Sequence, residues 1–161
     1  MSDSNCLSLG ISGYKKSGKT TLIEQITPVL VAEGMRLAVV KHQHEAVQTD
    51  QPGRDTYRFY QAGADVLGYD GQSVFIKRHQ SEELGLDDLL VLLGGDYDLI
   101  LIEGFKHADI DRIWLLGQGE TTAPQEIGNI IGLLVWTDDP AQRLAPTLKL
   151  LRQWHKDNLK L

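Results

Sequence analysis

Short apolar runs alternate with amphipathic stretches along most of the chain. Residues 6–12 (CLSLGIS) form a compact, mostly apolar run that predicts a buried strand bounded by Gly13. Leu22, Ile23, Ile26, Val29 and Leu30 then recur on one helical face, and Gly34 reads as the stop. Pro28 falls inside that helix, where its missing N–H and its ring predict a bend or a frayed end. The apolar centre 37–40 of MRLAVVKH predicts a second buried strand, and strand, helix, strand implies a right-handed parallel crossover. Residues 56–62 (TYRFYQA) suggest a short helix ended by Gly63. Residues 65–69 and 73–78 suggest two strands turning at Asp70-Gly71, an antiparallel excursion. Residues 86–93 have helical spacing with Asp87 and Asp88 in the first turn and Gly94-Gly95 at the end. Apolar runs at 99–102, 111–116 and 129–136 complete the strands, and Leu144, Leu148, Leu151 and Trp154 mark the core face of a last helix.

Alternating strands and helices predict an α/β fold of the phosphate-loop NTPase kind, a mostly parallel central sheet flanked by helices. The length, 161 residues, suits one domain, 1–161, with little room for a second. Hydrophobic and charged fractions of 42% and 24% are ordinary, so extended disorder is not expected. The net charge of -6 and the lack of a Lys/Arg stripe argue against a nucleic-acid partner. A lone cysteine, Cys6, read as a buried strand residue, excludes an intrachain disulfide or a cysteine-rich metal site. No basic stretch leads an apolar run at the N-terminus, and no segment is long enough to span a bilayer. The expectation is a cytoplasmic protein without a membrane partner.

Chemistry concentrates at the ends of the strands. Residues 13–20 (GYKKSGKT) match GxxxxGK[ST] completely and sit between a strand and a helix. Gly13 and Gly18 would let backbone amides turn around a phosphate, Lys19 would neutralise terminal phosphates, and the Thr20 hydroxyl could reach Mg²⁺. Lys16, Ser17 and Thr21 complete the candidate nucleotide set; a Gly-Lys turn without a ligand is the bland alternative. The run 98–103 (DLILIE) delivers Glu103 to the end of a strand, where a carboxylate could hold Mg²⁺ directly or through water; Asp98, at the far end, reads as structural. Lys41, His42 and His44 end the second strand ahead of a polar loop with Asp50, Pro52, Gly53, Arg54 and Asp55. These could line the same crevice or belong to a solvated loop. A histidine metal site there is weak, because His42-x-His44 alternates faces and lacks a firm third ligand. After the last strand, Asp138 could accept both guanine N1–H and N2–H; equally, Thr137 or Asp138 could cap the final helix.

Taken in order, the loop at 13–20, KHQH at 41–44, QPGRDTYRFYQAGA at 51–64, LILIEGFKH at 99–107 and VWTDDP at 135–140 resemble the molybdopterin-guanine dinucleotide biosynthesis protein B family over almost the whole chain. Members of that family bind GTP, hydrolyse it feebly, form dimers and assist the nucleotidyltransferase that joins GMP to molybdopterin. The resemblance therefore implies phosphate contacts from Gly13, Ser17, Gly18, Lys19 and Thr20, Lys41 and Gly53 near the nucleotide, and Glu103 on the metal side. It also implies a homodimer, and molybdopterin and the nucleotidyltransferase as partners. Arg54 stands where a lysine is frequent and keeps the charge, whereas Glu45 stands where another histidine is often found and weakens a metal site. Tyr14 occupies the place of a lysine that one dimeric ATPase subgroup carries, so a trans-acting lysine is not implied, although Lys15 or Lys16 could reach.

The leading expectation is a GTP-binding adapter with weak hydrolysis, since no strong general base is evident. A small-molecule kinase would share the loop and the carboxylate but needs an arginine lid. Arg54, Arg58 and Arg78 are the mid-chain candidates for it. A module using nucleotide only as a structural ligand is the third reading.

Overall fold

The structure is a computed structural model of the chain that describes residues 6–43, 51–79, 83–95 and 97–159. Contacts divide it into two compact units, Met1–His42 with Leu89–Leu161, and Gln43–Asp88. The first unit is built on a five-stranded parallel sheet of β1 (Leu7–Gly13), β2 (Leu37–Lys41), β5 (Leu99–Glu103), β6 (Arg112–Leu115) and β7 (Ile130–Leu134), in the order β2-β5-β1-β6-β7. The parallel α/β class with a small antiparallel excursion is as expected. The crossover from β1 to β2 is not a step to a neighbour, however, because β5 sits between them with Leu99 opposite both Leu7 and Leu37. β5 carries four consecutive apolar residues, 99–102, and is buried along its whole length, which suits an interior position rather than an edge.

Alternation along the strands builds the core. Leu9 and Ile11 of β1, Leu99 and Leu101 of β5, and Ile113 and Leu115 of β6 turn one face to Leu22, Ile23, Ile26 and Leu30 of α1 (Lys19–Ala32) and to Leu148 and Leu151 of α4 (Leu144–Asn158). A second cluster joins Trp114, Leu116 and Ile127. The apolar stripes expected on the first and last helices therefore both face the core. At Pro28 the helix does not fray. It continues to Ala32, with the Thr27 hydroxyl donating to the Ile23 carbonyl at 2.7 Å just before the proline. Cys6 corrects the sequence reading, since it precedes β1 and is half-buried rather than a core strand residue.

The cap of the last helical segment is also corrected. Neither Thr137 nor Asp138 serves; Asp139 accepts from the Ala141 amide at 3.0 Å and opens a 3-10 turn, Pro140–Arg143, that leads into α4. Asp98 proves structural, accepting from the Arg36 amide at 2.7 Å and from its Nη2 at 3.2 Å, so that it clips the entry of β2 to the entry of β5.

The second unit holds α2 (Asp55–Gln61) and a two-stranded antiparallel ribbon, β3 (Val66–Tyr69) and β4 (Val74–Lys77), turning at Asp70-Gly71 as expected. Asp70 accepts from the amides of Gln72 and Ser73, and Gly71 takes φ 99°, the dihedral this turn demands. Gly68 lies opposite Phe75, whose ring would stand 2.0 Å from a Cβ at position 68. α3 spans Leu86–Leu93, and Gly94 and Gly95 both take positive φ at its end.

Candidate functional site

β1 ends in Gly13, and α1 begins at Lys19 behind Gly18, which takes φ 89°; Lys16 in the turn also has a left-handed φ of 66°. No side chain caps α1, so the positive end of the helix opens on the loop. Lys19 reaches back over the loop and donates to the carbonyls of Gly13 at 3.1 Å and Tyr14 at 2.7 Å. Burial holds its pKa below the ordinary lysine value; Glu103 opposes that shift, while Lys106 and Lys41 add to it. Cations thus converge on one small volume, the electrostatic condition for binding a polyanion.

Register sets the rest of the site. Glu103 ends β5 opposite Lys41 of β2 on one side and Ile11 of β1 on the other, at the carboxyl edge of the sheet. The Thr20 hydroxyl donates to the Glu103 carboxylate at 3.1 and 3.3 Å, and the Lys41 ammonium lies 3.3 Å from Oε2 and 3.5 Å from the Thr20 oxygen. Thr20 and Glu103 form a hard-oxygen pair suited to Mg²⁺, which keeps water and phosphate oxygens in the rest of its shell. Among the described residues no group of three or more His, Cys, Asp or Glu could hold a metal by itself.

The other predicted residues divide. Ser17 is fully buried, and among the described residues its hydroxyl has no hydrogen-bond partner. Lys16 and Thr21 are exposed on the loop and on the first turn of α1. His42 has a structural part: its amide donates to the Glu103 carbonyl at 2.9 Å and its ring stacks on Phe105 at 4.9 Å. Gly104 permits this approach, since a Cβ there would come within 2.8 Å of the His42 Cβ. Asp138 and Thr137 line a cleft with Ser17, Gly18 and Trp136, so the late polar segment lies beside the loop at 13–20. Gly53 belongs to the second unit, in the turn before α2, with φ 99°. His44, Glu45 and Asp50 lie outside the described residues.

Three residues that sequence reasoning missed complete the surroundings. Lys106 holds its ammonium 5.1 Å from the Tyr14 ring centroid and 5.9 Å from that of Trp114, and the two rings meet edge-on. Arg112, 1% exposed, donates to the Ser12 hydroxyl and to the carbonyls of Phe105, Ala108 and Gly128, fixing the loop that follows Glu103. Arg143, 6% exposed, donates to the Ser17 carbonyl behind the phosphate loop. The Lys in Glu-Gly-Phe-Lys, three residues after a candidate site carboxylate, was a usable signal; the arginines offered only a charge within an otherwise apolar or capping segment.

The chain is similar to known proteins. The family described as Molybdopterin guanine dinucleotide synthesis protein B matches residues 8–136. A protein of Haemophilus influenzae named molybdopterin-guanine dinucleotide biosynthesis adapter protein is 37% identical over 136 residues, 83% of this chain and 76% of that one. Its namesake in Escherichia coli is 35% identical over 123 residues, 74% and 70% of the two chains. A crystal structure titled molybdopterin-guanine biosynthesis protein B superposes with a TM-score of 0.65 at 32% identity, covering 91% of this chain and 99% of that one. The family match spans the loop, the Glu103 strand and the segment up to Trp136, so the chain belongs to the molybdopterin-guanine dinucleotide synthesis protein B family.

Proposed function

We propose that this protein is a GTP-binding adapter with weak GTPase activity that assists the attachment of GMP to molybdopterin. It would act beside the nucleotidyltransferase that catalyses that step, as a cytoplasmic homodimer whose chain, 1–161, forms one phosphate-loop domain. The observation that carries the reading is the convergence of Lys19, Thr20, Lys41 and Glu103 at the carboxyl edge of β1, β2 and β5, in front of an uncapped helix. The names of the relatives supply the pathway.

In this reading Gly13, Lys16, Ser17, Gly18 and Thr21 cradle the phosphates with backbone and hydroxyl groups, and Lys19 leaves the loop carbonyls to neutralise the outer phosphates. Lys41 adds a second cation, and Gly53 lies near the nucleotide by family resemblance. Thr20 and Glu103 would hold Mg²⁺, which when bound neutralises charge on the phosphate oxygens. Asp138 would read guanine through its two N–H groups from the cleft beside Gly18. Glu103 is held by Thr20 and Lys41, an arrangement that suits a metal-side carboxylate better than a free general base, and it accounts for weak hydrolysis.

Calorimetry of GTP against ATP, with Mg²⁺, tests the reading. Clear GTP preference and turnover far below the roughly 1–100 per second of efficient phosphotransferases are expected. ATP preference with phosphorylation of a small metabolite would replace the adapter with a kinase.

A further inference from the structure

We propose that Arg143 is a positioning residue that ties the base-side segment 135–138 to the phosphate loop, holding the two halves of a nucleotide site at a fixed separation. The inference rests on the nucleotide reading above and goes beyond it by assigning the part that joins the subsites.

The guanidinium bridges three separate segments. Nη1 donates to the Ser17 carbonyl at 2.5 Å, Nη2 to the Leu116 carbonyl at 2.6 Å, and Nε to the Val135 carbonyl at 2.8 Å, with the Leu134 carbonyl 3.5 Å from Nη2. These acceptors belong to the phosphate loop, the residue after β6, and the end of β7 and its continuation. The same side chain lies 5.5 Å from the Trp136 ring centroid and lines the cleft formed by Ser17, Gly18, Leu22, Trp136 and Asp138. A Cβ on Gly18 would sit 3.4 Å from Nη1, so the loop and the guanidinium are in direct register.

Chemistry explains why an arginine stands here. Among the described residues no carboxylate pairs with Arg143, and burial alone pulls its pKa down. A buried cation without a counter-ion is costly, and it persists where a planar fork of five donors reaches several carbonyls at once. A lysine offers a point charge that cannot span the same three segments. Arg143, at the end of the 3-10 turn that leads into α4, thus joins Val135 directly to the phosphate loop.

The test compares two probes, GTP and inorganic pyrophosphate, each with Mg²⁺, on the full chain and on Arg143→Lys. Pyrophosphate needs only the loop; GTP needs the loop and the base side together. Arg143→Lys is expected to weaken GTP at least tenfold, to change pyrophosphate affinity less than threefold, and to narrow the preference for GTP over ATP. Equal losses for both probes, or no loss for either, would overturn the assignment, because a merely structural arginine does not split the two. Wild-type protein that binds neither probe would instead sink the nucleotide reading itself. Should Arg143→Lys fail to fold, hydrogen exchange on the wild-type chain decides. Pyrophosphate should slow exchange at 135–138 as well as at 13–20, and protection confined to 13–20 would overturn the linkage.

Discussion

Gly13 is the position at which the phosphate loop admits no side chain. A Cβ there would lie 2.5 Å from the Leu115 carbonyl oxygen and 2.6 Å from the Ser17 hydroxyl, and the residue has φ 153°. Backbone of β6 cannot yield cheaply, so Gly13→Ala is expected to cost about 1–3 kcal/mol of stability and to lower nucleotide affinity, measured by chemical denaturation and calorimetry on one preparation. Unchanged stability would mean that β6 and the loop move apart more easily than their packing implies. On the proposed function, Lys19 and Glu103 should separate binding from chemistry. Lys19→Ala removes a charge-assisted contact worth about 1.5–3 kcal/mol, so it should weaken GTP binding itself. Glu103→Gln should reduce Mg²⁺-dependent hydrolysis more than GTP affinity, and the reverse pattern would remove Glu103 from the metal side. These residues were legible because GxxxxGK[ST] and an apolar run ending in an acid are local patterns. Arg143 and Arg112 were not, since a single arginine looks the same in sequence whether water or four oxygens surround it.

Strands and helices were the most legible part of the chain, because each is announced by its own spacing of apolar residues. Every predicted run from β1 to β7 became a strand within a few residues, and the stripe of Leu148 and Leu151 faces the core as its helical spacing required. The helix entry at 137–140 was misread for a local reason. Pro140 favours the first helical position, so the residue before it, Asp139, takes the cap rather than Thr137 or Asp138. Asp98 shows how an element end contributes to pH dependence. Its hydrogen bonds from the Arg36 side chain and then from the Arg36 amide hold its pKa below the ordinary 3.8. A depressed carboxylate stabilises the fold fully above its unfolded pKa and loses that contribution as pH falls through the folded value. The pair is exposed, so Asp98→Asn should cost no more than about 1 kcal/mol near neutral pH. The gap between variant and wild type should close in acid below pH 3.8. Denaturant midpoints measured across that range check it; a gap that widens in acid would show that Asp98 acts otherwise.

Pairing of strands far apart in the chain is what sequence pattern could not supply. β5 enters between β1 and β2 after two intervening strands and two helices, and only its unbroken apolar run hinted at an interior place. That insertion brings Glu103 next to Lys41 and Thr20, so the candidate site exists only once the sheet order does. The same dependence shapes the last prediction. Nucleotide can govern an adapter's assembly with its partner enzyme only if the GTP-loaded and nucleotide-free forms differ in affinity for it, and linkage makes such coupling reciprocal. If the nucleotidyltransferase binds the GTP-loaded chain more tightly by some factor, GTP must bind the complex more tightly by that same factor. A coupling of about 1–3 kcal/mol, or roughly 5–150-fold, is the range in which nucleotide would govern assembly. Titrating GTP into the chain alone and into its complex, and then the enzyme into the free and GTP-loaded chain, gives the factor twice. Agreement between the two at five or above supports a nucleotide-dependent adapter. A factor of one, with GTP still bound, would make the nucleotide a structural ligand and leave the partner indifferent to it.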